Sequence, residues 1–340
     1  MHYIDNPFMP QEDTIPNKLI IEEPLKMVEQ LKKENRVNLT LPPDCDFMEL
    51  SFTDNRAELQ KFIEMHYGNK TWKVLLLDRD IDKLIAQKNA HVFAIRWRSM
   101  IIAIQTLEIF DVQIYDSIKR GGYTDYLLIH PKFRNKGLNN VLTAMVFIES
   151  VKLGCDFNFY NTHVDLGCKS YLSRPMYEFP LTNIPLLAGI ARKDASHPFK
   201  ILNHTLRKAT IDEMRKFNEV NHKIHILFSE DNLKAFDKYD RTYTNGHTIL
   251  RFVELVSNLE NMNIRSALLV NWINVNDKAF FKEVIEELRK DGFDTVSFAS
   301  DGTLGEIISY FGFDKNLPMR QYSVNILPKA PKGEIGLMVR

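Results

Sequence analysis

The sequence predicts an α+β fold built from two similar halves, each pairing strands with flanking helices. Three observations carry this. Short apolar runs alternate with stretches whose apolar residues recur at helical spacing, so strands and helices interleave along the chain. The order strand, strand, helix, strand occurs once before residue 185 and again after residue 208. The echo is one of element order rather than of letters, which points to a repeated unit. At 340 residues the chain is too long for one small core.

Residues 1–45 read as an arm, with two proline-bearing stretches and a short helix from Pro24 to Lys33. "PPDCDFMELSF" opens the folded part. Asn55 to Tyr67 carries Leu59, Phe62 and Ile63 at helical spacing. "AHVFAIRW" and "SMIIAIQTLEI" read as strands joined by a tight turn near Arg98 and Ser99. "RGGYTDYLLIH" reads as the next strand, after a Gly-Gly turn at Gly121-Gly122. A helix follows over roughly 139–153, with Val141, Leu142, Met145, Ile148 and Lys152 on one stripe and Gly154 at its end. "FNFYNTHV" is the next strand.

In the second half, "HTILRFVELVS" and "RSALLVNWINV" read as strands. Asp277 caps a helix bearing Phe280, Phe281, Val284, Ile285 and Leu288, and Asp291-Gly292 turns the chain into "FDTVSFAS". A helix from Leu304 to Phe311 and a strand "QYSVNIL" complete the set. The seam between halves falls near residues 185–208.

Composition removes several function classes. Lys plus Arg equals Asp plus Glu at 44 each, so no global field favours nucleic acid or an anionic membrane, and any anion site must be local. Cys45, Cys155 and Cys168 are odd in number and lack metal-ligand spacing, which argues against a disulfide framework or a zinc site and fits a reducing compartment. "MHYIDNPFMPQEDTIP" is too polar for a signal peptide, and no apolar run reaches the ~20 residues of a membrane span. A cytoplasmic, monomeric protein is expected. The three Asn-X-Thr triplets at Asn38, Asn69 and Asn203 then read as chance.

One stretch asks for a chemical explanation. "YLLIHPKFRNKGLNNVL" leaves an apolar strand, places Lys132, Arg134 and Lys136 before Gly137, and enters a helix. A helix N-terminus carries unpaired N–H groups and partial positive charge. A glycine there admits a ligand close to the backbone, and flanking cations add net charge. The arrangement suits a phosphate, most aptly a pyrophosphate.

The residues Arg134-Asn135-Lys136-Gly137-Leu138-Asn139 resemble the R/Q-x-x-G-x-G/A pyrophosphate loop of the GNAT acyltransferase superfamily, with Asn139 at the last position. "IYDSIKRGGYTDYLLIHPKFRNKGLNNVL" is similar to the core block of the glycylpeptide N-tetradecanoyltransferases, the N-myristoyltransferases. "EDTIPNKL", "LTLPPDCDFMELSF", "FYNTHVDL", "KDGFDTVSFAS" and the final "GEIGLMVR" resemble further blocks of that family in the same order.

The resemblance implies two tandem GNAT-like halves forming one large mixed sheet flanked by helices. Its boundaries are an arm over 1–45 that contributes to the acyl-CoA site, an acyl-CoA-binding half over 46–195, and a peptide-binding half over 196–340 that ends in the catalytic C-terminus. It implies a transferase of lipoprotein biosynthesis that moves myristoyl from myristoyl-CoA, the co-substrate, to the α-amine of an N-terminal glycine. No prosthetic group or metal is called for.

By the same resemblance the base is the terminal α-carboxylate of Arg340, and the backbone N–H groups of Tyr126 and Leu127 form the oxyanion hole. Asn161 or Thr162 serves the amine. Acyl-CoA meets Leu128, Ile129, Arg134, Asn135, Lys136, Gly137, Leu138 and Asn139, with Phe8 and Met9 from the arm; Tyr160, Tyr177 and Phe179 face the peptide. The terminal Arg, the Gln11-Glu12 pair before Asp13-Thr14, Phe179 in place of the family's histidine and the short "HYGNKTWKVLLLD" segment depart from the family pattern. The rival readings are a GNAT enzyme using another acyl-CoA and an inactive acyl-CoA- or peptide-binding module. His130 reads as structural.

Overall fold

The computed structural model describes residues 20–21, 39–68, 72–163, 173–185, 206–220, 224–274, 277–299, 316–324, 326–327 and 335–336, together with the isolated helical residues 26, 29 and 33. For residues 20–21, 72, 162–163, 173–185, 298–299 and those from 316 onward it describes the backbone alone. The expected helix from Leu304 to Phe311 lies outside the described residues, as do Phe8, Met9, Cys168 and Arg340.

In chain order the elements begin with β1 (Ile20–Ile21), β2 (Cys45–Leu50), α1 (Arg56–His66), β3 (Trp72–Leu75), α2 (Asp78–Gln87), β4 (Ala90–Trp97), β5 (Met100–Ile114) and β6 (Ser117–Ile129). A 3-10 turn at Pro131–Phe133 leads to α3 (Leu138–Lys152), β7 (Phe157–His163) and β8 (Ser173–Pro185). Then come β9 (Arg207–Lys208), α4 (Ile211–Met214), β10 (Ile224–Leu227), α5 (Glu230–Tyr239), β11 (Arg241–Thr244), β12 (Ile249–Leu259), β13 (Met262–Ile273) and α6 (Lys278–Lys290). The last are β14 (Thr295–Ala299), β15 (Asn316–Val324), β16 (Ile326–Leu327) and β17 (Ile335–Gly336).

These elements form two compact units, each discontinuous in sequence. The first holds residues 1–50, 91–178 and 319–335; the second holds 51–90, 179–318 and 336–340. The fold is α+β in both.

In the first unit β2 pairs antiparallel with β4, and β5 pairs antiparallel with β6 from Ile114↔Ser117 to Ala103↔Ile129. Arg98 turns β4 into β5 at φ +57°, as the sequence suggested, and Tyr115 turns β5 into β6 at φ +51°. The crossover helix α3 then delivers β7 parallel to β6, and β15 lies antiparallel along the far edge of β7. The α3 stripe Leu138, Leu142 and Val146 packs on Ile102, Ala103, Leu107 and Ile109 of β5. Each such aliphatic side chain contributes about 1.5–3 kcal/mol on burial.

Gly121-Gly122 is not a turn, contrary to the reading of the sequence: both residues lie inside β6. The reason is close packing. A Cβ on Gly121 would stand 2.7 Å from Cζ of the fully buried Phe157, and one on Gly122 would stand 2.4 Å from Oδ1 of Asn158. Only glycine lets β6 and β7 approach here.

The second unit repeats the order. β12 and β13 form an antiparallel hairpin, α6 crosses over, and β14 returns parallel to β13. β3 and β11 pair with β12, β9 pairs with β11, and β8 with β14. Phe280, Phe281, Val284, Ile285 and Leu288, the stripe read from the sequence, pack on Leu250, Phe252, Ala267 and Leu269. Two helices that the sequence reading passed over, α2 and α5, also belong to this unit. Lys83 on α2 reaches the Asp240 carboxylate at 2.7 and 2.9 Å, and Arg251 pairs with the same carboxylate at 3.0 Å while lying 3.5 Å over the Phe236 ring.

Candidate functional site

Among the described residues, β6 and β7 are hydrogen-bonded neighbours only over Gly121–Tyr123 and Phe157–Phe159. Beyond Tyr123 and Phe159 they pair with other strands: β6 keeps β5, and β7 keeps β15. Two parallel strands that begin paired and then part leave a gap at their C-terminal ends. That is where open α/β sheets receive ligands.

The strand bordering the gap is irregular at one place. The β5–β6 register runs Thr106↔Asp125 and then Ile104↔Leu128, so Gln105 alone faces both Tyr126 and Leu127. This is a β-bulge on β6. Tyr126 takes φ +48°, a left-handed conformation that costs a side-chain-bearing residue about 1–2 kcal/mol. Such strain persists where the surroundings demand it, and function is a common demand. The ladder register steps from Asp125 to Leu128, past Tyr126 and Leu127. The Tyr126 N–H donates to Oδ1 of Asp125 at 2.8 Å. Leu127 is among the few exposed large apolar residues, whereas Leu128 is buried and Ile129 is packed against the core.

The chain then turns toward α3 under tight local control. His130 donates its N–H to the Ile102 carbonyl at 2.8 Å, and its Nδ1 accepts the Lys132 N–H at 3.2 Å. Burial, and then the Lys132 and Arg134 charges, hold the imidazole below its ordinary pKa, which keeps that acceptor available. Phe133 packs on the core beside Trp97, with ring centroids 5.9 Å apart. The structural role read for His130 fits this geometry.

Lys132, Arg134, Asn135, Lys136 and Gly137 are exposed. Arg134 is tethered by Nε to the Ile129 carbonyl at 2.9 Å, and the Lys136 ammonium lies 5.4 Å from the centre of the Phe133 ring. Among the described residues, none of the three cations is paired with a carboxylate. Asn135 sits at φ +60° and Gly137, the N-cap of α3, at φ +76°, with open space where a Cβ would be. Among the described residues, no side chain caps the α3 N-terminus. Leu138 points into the core, so only its backbone faces outward; Asn139 is half-buried.

The equivalent helix of the second unit makes the contrast plain. α6 begins at Asp277, whose Oδ1 accepts the Phe280 N–H at 3.0 Å. A fixed carboxylate already fills the place an anion would take. Of two crossover helices in the same topological position, α6 carries its own anion, and α3 offers an uncapped end with three cations before it.

The remaining expected residues fall as follows. Tyr160 and Asn161 lie half-buried on β7 past its last pairing with β6, opposite Tyr322 and Gln321 of β15; Thr162 follows opposite Arg320. Tyr177 and Phe179 lie on β8, described by backbone alone. The sequence reading overlooked Gln105 and Asp125. A clue was present: Asp125 is the one charged residue in the run "GYTDYLLI", otherwise apolar or small and neutral. Among the described residues, no cluster of His, Cys, Asp and Glu is suited to a metal ion, and no helix is long and apolar enough to cross a membrane.

Comparison with known proteins gives a fold. A Saccharomyces cerevisiae N-myristoyltransferase with bound myristoyl-CoA superposes with a TM-score of 0.73 at 13% identity, over 97% of this chain and 96% of the other. A structure of that protein with myristoyl-CoA and inhibitors gives 0.71 at 12% identity, over 96% and 93%. A GCN5-related N-acetyltransferase from Kribbella flavida gives 0.50 at 10% identity, over 82% and 70%. No family model matches the sequence, and no curated protein matches it. The chain therefore has the fold shared by N-myristoyltransferases and GNAT N-acyltransferases.

Proposed function

We propose that the protein transfers myristoyl from myristoyl-CoA to the α-amine of an N-terminal glycine on a peptide or protein. The observation that carries this reading is the parting of β6 from β7 beside a bulged strand that leads into the uncapped, basic N-terminus of α3. Acyl-CoA needs both parts: a cradle for phosphates and a gap for an extended thioester. The sequence blocks that resemble those of the N-myristoyltransferases favour this choice of acyl group and acceptor.

In this reading Arg134, Asn135, Lys136 and the backbone of Gly137, Leu138 and Asn139 hold the phosphates. The pantetheine arm runs along Leu128 and Ile129. Phe8 and Met9 of the arm over 1–45 complete the cofactor end. The N–H groups of Tyr126 and Leu127 stabilise the thioester oxygen as it gains charge, and one such donor is typically worth about 3 kcal/mol in the transition state. The attacking amine, with an ordinary pKa of about 8, must shed a proton first. The α-carboxylate of Arg340 accepts it, and Asn161 or Thr162 orients the amine. Tyr160, Tyr177 and Phe179 face the peptide. Nitrogen then bonds the carbonyl carbon, the carbon–sulfur bond breaks, and the departing thiolate takes the second proton that the nitrogen sheds, so that coenzyme A leaves as the thiol.

The test is direct. A synthetic octapeptide beginning with glycine is incubated with myristoyl-CoA and the protein, and its mass is followed. The reading predicts a gain of one myristoyl group, located at the N-terminus by fragmentation. Tight acyl-CoA binding without any mass gain would contradict transfer and leave a binding module.

A further inference from the structure

We propose that Gln105 is a binding residue for the pantetheine arm of acyl-CoA, its buried amide oxygen accepting the N–H of one of the two amides in that arm. The inference rests on reading the bulge as the seat of the thioester and the α3 N-terminus as the seat of the phosphates. Its own observation is separate: β5 buries an amide oxygen that no described residue satisfies.

Gln105 occupies the register step of β5 that faces Tyr126 and Leu127. Side chains alternate along a strand, so it shares a face with Ala103, Leu107 and Ile109, which pack beneath α3. Only 3% of Gln105 is exposed, yet its Oε1 has no hydrogen-bond partner. Buried polar atoms are nearly always paired, and an unpaired one costs stability. Leucine would match the apolar neighbours at no such cost. The helix above repeats the feature. Asn140 and Thr143, on one side of the first two turns of α3, each bury a side-chain oxygen without a partner.

This layer lies between the two ends that the ligand must join. Residues 134–137 lead into α3, and the bulge faces Gln105, so an arm running from phosphate to thioester crosses this level. Ile129, proposed to line the arm, pairs with Ala103 on the same face as Gln105. The chemistry selects the arm over the acyl chain. A hydrocarbon chain offers no donor and would leave the oxygens unsatisfied. Pantetheine carries two secondary amides, the nearer one two methylenes from the sulfur, and each brings an N–H that loses its water on binding.

Calorimetric titration with myristoyl-CoA, and with two analogues in which each pantetheine amide in turn is an ester, separates this role from a structural one. One of the esters should bind the wild type about tenfold more weakly than the amide, because it leaves the Gln105 oxygen without a donor. Gln105→Leu should lose about tenfold in affinity for myristoyl-CoA and bind that ester and the amide alike. Its melting temperature without ligand should equal or exceed that of the wild type, since the unpaired oxygen is gone. Gln105→Met, of similar length, decides the matter if the leucine variant does not fold. A variant that tells amide from ester as the wild type does, or a lowered melting temperature with unchanged affinity, would overturn the role and leave a structural glutamine or one bonded to a buried water. Wild-type protein that binds none of the three ligands would overturn the acyl-CoA reading itself, and the role of Gln105 with it.

Discussion

Replacing Gly137 separates backbone strain from electrostatics at the proposed phosphate cradle. The position sits at φ +76° with open space around a hypothetical Cβ. Steric conflict inside the protein is therefore small, and the conformational penalty is about 1 kcal/mol for an ordinary side chain. Asparagine tolerates the left-handed region, so Gly137→Asn isolates the addition of a neutral side chain. Gly137→Glu adds a carboxylate at the mouth of the cradle. At about 4 Å, each carboxylate–phosphate pair costs roughly 1 kcal/mol in bulk water and about 4 kcal/mol at an effective dielectric near 20. Two phosphate charges thus give a penalty of at least about 2 kcal/mol, or about thirtyfold in affinity. Calorimetric titration with myristoyl-CoA at low salt should find the glutamate variant weakened by that factor or more and the asparagine variant by a few-fold. The gap between them should narrow at 1 M salt, where the Debye length falls to about 3 Å. Equal, undiminished affinity in both variants would show that the phosphates bind elsewhere.

Gly121→Ala should destabilise the fold by about 1–3 kcal/mol, because the added methyl meets the fully buried Phe157 ring; a thermal melt matching the wild type would refute the packing argument. Acidification should cost stability through His130. Its folded pKa lies below the ordinary value near 6.5, so its contribution is complete above about pH 6.5 and is lost as pH falls from there toward the lower folded value. The melting temperature of the wild type should drop more between pH 7.5 and 5.5 than that of His130→Gln, and parallel curves would contradict the assignment. Extending the chain beyond Arg340 by a short tag converts the proposed base into an amide. Transfer to the glycine peptide should then fall at least a hundredfold while acyl-CoA affinity is kept; full activity of the tagged protein would remove Arg340 from the mechanism.

Much of the fold could be read from the letters because its main elements are strongly periodic. Leu59, Phe62 and Ile63 betray α1, and the Phe280 to Leu288 stripe betrays α6; both helices bury those residues. The helices α2 and α5 escaped notice because their sequences, "DRDIDKLIAQ" and "EDNLKAFDKY", are largely charged and their apolar stripes short. A signal was available in α5, where Ser229 and Asn232 form a capping box. The basic loop was legible because charge and glycine are local signals. The bulge was not. Nothing in "TDYLLI" announces an unmatched residue, since register depends on what Gln105 faces across the sheet. Gly121-Gly122 misled for the same reason: its cause is Phe157 and Asn158, thirty-six residues further along each time.

The central claim is that an acyl thioester lies in the gap between β6 and β7 with its carbonyl at the Tyr126–Leu127 bulge. A crystal structure of the protein with a non-transferable ketone analogue of myristoyl-CoA, which keeps the carbonyl, tests it most directly. The account predicts the ketone oxygen about 3 Å from the backbone nitrogen of Tyr126 or Leu127 and the phosphates against residues 134–139. An analogue bound away from the bulge would contradict it.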